Sequence, residues 1–138
     1  MIAVDTNILA RYYVQGDGDR EAVKQHPIAV RIFTDTPRLF VPKTVMLEFE
    51  WVLRGFYEFT RAEILKVFDH LLALPNVTVE DEAVVERAVS HFRAGLDFAD
   101  ALHQASSARC EKMLTFDNRS FARKAKRLAA EPRITLAE

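Results

Sequence analysis

The stretch IAVDTNILA, residues 2–10, sets three apolar residues, Ile2, Ala3 and Val4, directly before Asp5, Thr6 and Asn7, and turns apolar again at Ile8. Such an order reads as a short buried strand passing into a helix. Asp5 then admits two readings. It caps the helix by accepting from its free N–H groups, or it belongs to an acidic cluster whose other members lie far along the chain.

Working outward, the same passage from strand to helix recurs. Further strands are expected at residues 39–41, ended by Pro42, and at 77–79, 112–116 and 133–136. Helices are expected from residue 8, over 20–33 with a break or kink at Pro27, and over 44–59 with Thr44 as N-cap. Thr60 and Glu63 have capping-box spacing and open a helix toward residue 74. The acidic run Glu80, Asp81, Glu82 opens another to about residue 92, Asp97 starts one through residue 110, and a basic helix covers 118–130. Alternating strands and helices predict a three-layer α/β domain with a central, mainly parallel sheet flanked by helices. In such sheets ligands bind beyond the carboxyl ends of the strands.

The chain has 138 residues, 49% of them apolar, with four Gly and five Pro. That length fits one domain over 1–138 with a sizeable core. No linker or internal repeat divides it. The first residues lack the pattern of a secretion signal, and no apolar run approaches the ~20 residues that span a bilayer. One cysteine, Cys110, excludes an internal disulfide, fits a reducing cytoplasm, and reads as a small buried hydrophobe. With 19 basic and 20 acidic residues the net charge is −1. Any case for a nucleic-acid partner therefore rests on local charge.

The acids separate by position. Asp5 and Asp117 each follow a predicted strand, with Thr6, Asn7, Thr115 and Asn118 beside them as short polar groups able to hold carboxylates or waters. Each also suits an N-cap. On a helical wheel at ~100° per residue, Glu48 shares an arc with Thr44, Val45, Phe49, Val52, Gly55, Phe56 and Phe59, the face expected to be buried. Glu50, Arg54 and Glu58 form a separate charge ladder expected to face solvent. A carboxylate on a buried face needs compensation, either a structural arginine or a shared metal. Asp97 reads as the cap of its helix. Asp100 lies off the packing face with Gln104 and Ser107, free to point at a cleft.

No His or Cys cluster with zinc spacing accompanies Asp5, Glu48, Asp100 and Asp117, and His103 reads as a neighbour of the site rather than a ligand. Oxygen-only donors suit Mg²⁺ or Mn²⁺, which would also offset the mutual repulsion of clustered carboxylates.

Four segments, VDTNIL, VMLEFEWVLR, DFADALHQA and LTFDNRSF, in this order, resemble a PIN-domain ribonuclease, in particular the VapC-type toxin of bacterial toxin–antitoxin pairs. The resemblance covers essentially the whole chain. It implies a metal-dependent endoribonuclease that hydrolyses RNA phosphodiester bonds, with Asp5, Glu48, Asp100 and Asp117 as its acidic quartet. Asp5 and Asp100 would be the most direct metal ligands, and Thr6 and Thr115 would support the carboxylates. Asp97 is an additional acid. It also implies a homodimer and a VapB-type antitoxin that blocks the groove.

Arg119, Arg123, Lys124, Lys126 and Arg127 put five cations within nine residues after Asp117. They read either as an ordinary exposed helix face or as phosphate contacts beside an acidic centre. Arg11 offers another phosphate contact, while Tyr12 and Tyr13 read as a stacking surface or as core or dimer contacts. Two rival functions follow from the same residues. One is a catalytically silent PIN-like module that binds RNA or protein. The other is an Asp-based phosphatase of the haloacid dehalogenase type, which is disfavoured because Asn7 stands where its second Asp belongs.

Overall fold

A computed structural model describes residues 1–15 and 19–138. The chain divides into two compact units, Met1–Glu80 and Asp81–Glu138. Every strand pairing in either unit is parallel, and the strands alternate with helices, as the mixed α/β expectation requires.

The first unit contains β1 (Ile2–Ala3), α1 (Thr6–Tyr13), α2 (Arg20–Asp35), β2 (Leu39–Val41), α3 (Lys43–Gly55), α4 (Arg61–Ala73) and β3 (Val77–Val79). Its sheet has the order β1-β2-β3, with Ile2 opposite Leu39 and Leu39 opposite Val77. Parallel neighbours need a crossover, and a helix pair supplies each one here. Leu9, Leu39, Val41, Met46, Phe49, Leu53, Ile64, Phe68 and Leu71 are fully buried and form the core of this unit.

Local chemistry accounts for most of its boundaries. Thr60 and Glu63 form the expected reciprocal capping box at the start of α4. The break expected at Pro27 does not occur: α2 runs through it. Pro27 removes the bond to the carbonyl four residues back, that of Val23, and both residues are exposed, where water can replace it. Thr44 is not the cap of α3. The helix begins one residue earlier, after Pro42, and the Lys43 amide donates to the Glu80 carboxylate at 2.8 Å. It also ends at Gly55 rather than 59, and Glu58 adopts a left-handed φ of 58°. Tyr12 and Tyr13 join a ring cluster rather than a free stacking face. Tyr12 stacks on Phe33 at 4.1 Å, and Tyr13 hydrogen-bonds His70 Nδ1 at 2.7 Å. Burial, and then the neighbouring Tyr12, push the Tyr13 phenol well above its ordinary range.

The second unit contains α5 (Glu82–Arg93), α6 (Phe98–Ser106), β4 (Lys112–Thr115), α7 (Arg123–Arg127) and β5 (Arg133–Leu136), with a π-helical turn, Asn118–Ala122, running into α7. β4 and β5 pair in parallel, Lys112 opposite Arg133. Helices α5 and α6 pack through Val85, Ala88, Val89, Phe92, Phe98, Ala101, Leu102 and Ala105, all buried. Between them Gly95 takes a φ of 116°, which a side chain would resist. Several expectations fail in this unit. The basic helix expected over 118–130 is a π-helical turn followed by a helix that ends at Arg127. Helix α6 stops at Ser106, short of residue 110, and Cys110 is exposed, beyond the reach of the packing face. Gln104 is fully buried and does not share a cleft-facing side with Asp100; its amide donates to the Pro132 carbonyl at 2.7 Å.

Candidate functional site

In the first unit Asp5 stands at the carboxyl end of β1, where open parallel sheets build their sites. Its carboxylate accepts from the Ile8 amide at 3.2 Å, so the capping reading holds. The cap leaves the carboxylate exposed, and with Asn7, Ile8 and Arg11 it lines a cavity of about 470 Å³. Thr6, itself buried, donates its hydroxyl to Glu48 Oε1 across 42 residues of sequence. This contact ties the start of α1 to α3 and orients Glu48 from behind.

The position of Glu48 on α3 corrects the helical-wheel argument. The buried face of the helix is Met46, Phe49, Glu50 and Leu53, while Thr44, Glu48, Gly55 and Phe56 are exposed. The expected ladder also dissolves, because Glu58 lies beyond the end of the helix. Glu50, not Glu48, is the carboxylate taken into the core, at 2% exposure. Its compensation is Arg54, whose Nε donates to Glu50 Oε2 at 2.8 Å. The buried acid is thus a paired structural group, and the exposed one faces solvent, where a ligand can reach it.

In the second unit the acids again begin helical segments. Asp97 accepts from the Asp100 amide at 3.2 Å, and Asp117 accepts from the Ser120 amide at 2.9 Å. Thr115 supports the backbone rather than a carboxylate, its hydroxyl accepting from the Asp117 amide at 3.0 Å. Asn118 is exposed at the start of the π-helical turn. Asp100, half-buried, has its carboxyl pushed above the ordinary range, first by burial and then by the charges of Asp97 and Asp117; His103 and Lys124 oppose the shift. Four charged groups therefore bear on Asp100. The π-helical turn, closed by the Ala122 amide on the Asp117 carbonyl at 3.1 Å, is anchored by buried Phe121, and α7 by buried Ala125. Arg119, Arg123, Lys126 and Arg127 are consequently left exposed, with Lys124 half-buried.

Only carboxylate oxygens are offered at Asp97, Asp100 and Asp117, and the repulsion that remains at Asp100 beside His103 and Lys124 is what a hard divalent cation offsets. Within neither unit, among the described residues, do three His, Cys, Asp or Glu side chains stand close enough to hold an ion by themselves. Mg²⁺ keeps several waters and needs only one or two carboxylates, so the donor set fits it.

The cost of ionising Asp100 has a measurable consequence. The penalty is present above its raised pKa and fades as pH falls through that value toward the ordinary carboxylate range. Asp100→Asn should therefore raise the melting temperature of the metal-free protein at neutral pH. The gain over wild type should shrink on acidification and be removed by saturating Mg²⁺. A variant less stable than wild type at neutral pH would contradict the repulsion.

Sequence reasoning missed the residues that hold Arg11, namely Gln25 and Tyr57. No local signal marks them, since they lie 14 and 46 residues away.

A family model described as PIN domain matches residues 2–127. No curated protein matches the chain.

Proposed function

Because the chain belongs to the PIN-domain family, we propose that it is a metal-dependent endoribonuclease, the toxin of a VapBC-type pair. PIN domains are typically nucleases, generally use divalent metal ions, and point to a nucleic-acid substrate. The finer reading adds RNA as that substrate, Mg²⁺ or Mn²⁺ as the ion, and residues 1–138 as a single functional domain. It is supported by the four motif segments and by one observation above the others: a half-buried Asp100 raised by burial and by two neighbouring carboxylates. Like charge of this kind, which His103 and Lys124 offset only in part, is relieved further by a bound cation.

In this reading Asp5 and Asp100 hold the ion, and Asp117 and Glu48 either complete the metal site or orient the attacking water, with Asp97 as a further candidate ligand. A bound divalent ion would supply charge stabilisation at the phosphoryl oxygens and lower the pKa of water. Thr6 keeps Glu48 oriented through its hydroxyl, and Thr115 holds the turn that presents Asp117. Arg119, Arg123, Lys124, Lys126 and Arg127, with Arg11, draw the RNA backbone toward the acids. A homodimer, a VapB-type antitoxin and a cytoplasmic location belong to the same proposal. Among the described residues no helix is long and apolar enough to cross a membrane.

Purified protein incubated with total RNA in Mg²⁺ should yield discrete cut products. Excess EDTA should abolish them, and added Mg²⁺ or Mn²⁺ should restore them. Cleavage undiminished in EDTA would sink the metal-dependent reading. RNA binding without any cut product would instead identify a silent module.

A further inference from the structure

β4 and β5 run parallel, so the segments that lead into them meet at one end of the pair. Asp117 follows β4 and belongs to the other end. Cys110 and Glu111 precede β4, and Glu131 and Pro132 precede β5. The π-helical turn and α7 carry the chain back from one strand to the next, which returns the end of α7 to the leading ends of both. Here the second unit holds a cavity of about 580 Å³, within the range of small-molecule sites.

Local contacts set its walls. Ala129 leaves α7 with a left-handed φ of 51°, and the Ala130 amide donates to the Ala125 carbonyl at 3.1 Å, a pattern that turns the chain sharply off a helix end. Gln104, fully buried, donates its amide to the Pro132 carbonyl at 2.7 Å and fixes the entry to β5.

Two kinds of side chain line the cavity. Ala108, Ala125, Ala129, Ala130, Pro132 and Ile134 give small apolar walls, and Lys126, Arg133, Glu111 and Glu131 bring charge. Among the described residues none of these four charged groups forms an ion pair. Arg133 also stands opposite Lys112 across the strand pair, where like charges repel. An anion held by Arg133 and Lys126 relieves that repulsion, and the planar guanidinium fork matches a phosphate bidentately. Glu111 and Glu131, when ionised, only accept hydrogen bonds, so they call for hydroxyl or amino donors on the same ligand. The apolar walls suit a flat ring. Phosphate, hydroxyl donors and a flat ring together describe one chemical class.

We propose that this cavity binds a mononucleotide, its phosphate on Arg133 and Lys126, its ribose hydroxyls on Glu111 and Glu131, and its base against Pro132 and Ile134. The site lies at the other end of the strand pair from Asp117 and stands whether or not the chain cleaves RNA. Lys126 is among the cations proposed above to draw RNA, so Arg133 is the residue that isolates this site.

Cys110, the chain's one thiol, is exposed and lines the cavity, so it reports on occupancy. Its alkylation by iodoacetamide is timed on the full chain in excess EDTA, with and without uridine or adenosine monophosphate. The ratio of the two rates is taken within each variant, which cancels any change in the thiol's own reactivity. Mononucleotide should protect wild type. Arg133→Met should need at least about tenfold more nucleotide for half protection, the scale of a lost charge-assisted hydrogen bond. Lys126→Met should shift it in the same direction and keeps the test open if Arg133→Met fails to fold. Uridine, adenosine and inorganic phosphate at equal concentration should protect little. An unprotected wild type would overturn the proposal, as would half protection unchanged in either folded variant. Equal protection by a nucleoside would remove the anion site, and equal protection by inorganic phosphate would remove the nucleotide; each overturns it. Tighter protection by a short oligonucleotide than by a mononucleotide would overturn it too and give the cavity to RNA.

Discussion

Asp100→Ala and, separately, Asp5→Asn are expected to abolish RNA cleavage, each by about a thousandfold or more, the scale of losing a group that stabilises developing charge. The choice of substitution matters because these carboxylates have structural duties as well. Asp5 caps α1 through the Ile8 amide, and Asn is an equally good cap. Asp5→Asn therefore removes the charge and keeps the helix start. Asp5→Ala should lose the same activity and, in addition, about 1 kcal/mol of stability. Asp100 relieves repulsion when neutralised, so Asp100→Ala should fold at least as well as wild type. Loss of cleavage with intact melting behaviour is the expected pair of results, and Asp35→Asn, at an exposed position on α2, should cut normally. Substantial cleavage by either Asp5→Asn or Asp100→Ala would remove that residue from the proposed chemistry.

The second large effect is on stability. Arg54→Met should destabilise the protein by about 2–3 kcal/mol, because it leaves the Glu50 carboxylate in the core without its cation. The value lies at the low end for a broken buried pair, since Arg54 is itself 50% exposed and water weakens its hold on Glu50. The folding equilibrium would shift roughly 30- to 150-fold, readable by urea denaturation with an unchanged slope. The double variant Glu50→Met with Arg54→Met should recover most of the loss, as apolar replacements of buried pairs often do. RNA cleavage by folded Arg54→Met should stay at wild-type level, which separates this acid from the proposed quartet. A single-variant loss below about 0.5 kcal/mol, the scale of an ordinary surface change, would mean that Glu50 finds compensation elsewhere.

Glu48 and Glu50 differ in burial for a reason that local spacing does not contain. Both lie on α3, two residues and about 200° apart on the helical wheel. A helix running to residue 59 would place Phe56 and Phe59 on the same arc as Glu48. With α3 ending at Gly55, Phe56 lies beyond it and exposed, and the arc through Met46, Phe49 and Leu53 carries Glu50 inward. Nothing in the intervening residues announces that Arg54 will pair with Glu50 inside rather than in solvent, since i, i+4 spacing is the same in both cases.

By itself, the sequence determined the alternation of parallel strands and helices, the bounds of β2, β3 and β5, the capping box at Thr60, and the helix-start positions of Asp5, Asp97 and Asp117. All of these rest on contacts within a few residues, on period and on caps, which a local reading contains. The family followed from the same short segments. Only the tertiary structure decided which face of α3 is buried, that Thr6 reaches Glu48, that Gln104 lies inside and Cys110 outside, and that Gln25 and Tyr57 fix Arg11. Each of those depends on which surfaces meet across tens of residues. Spacing along the chain states what can share a face; what that face packs against is settled only when the elements come together.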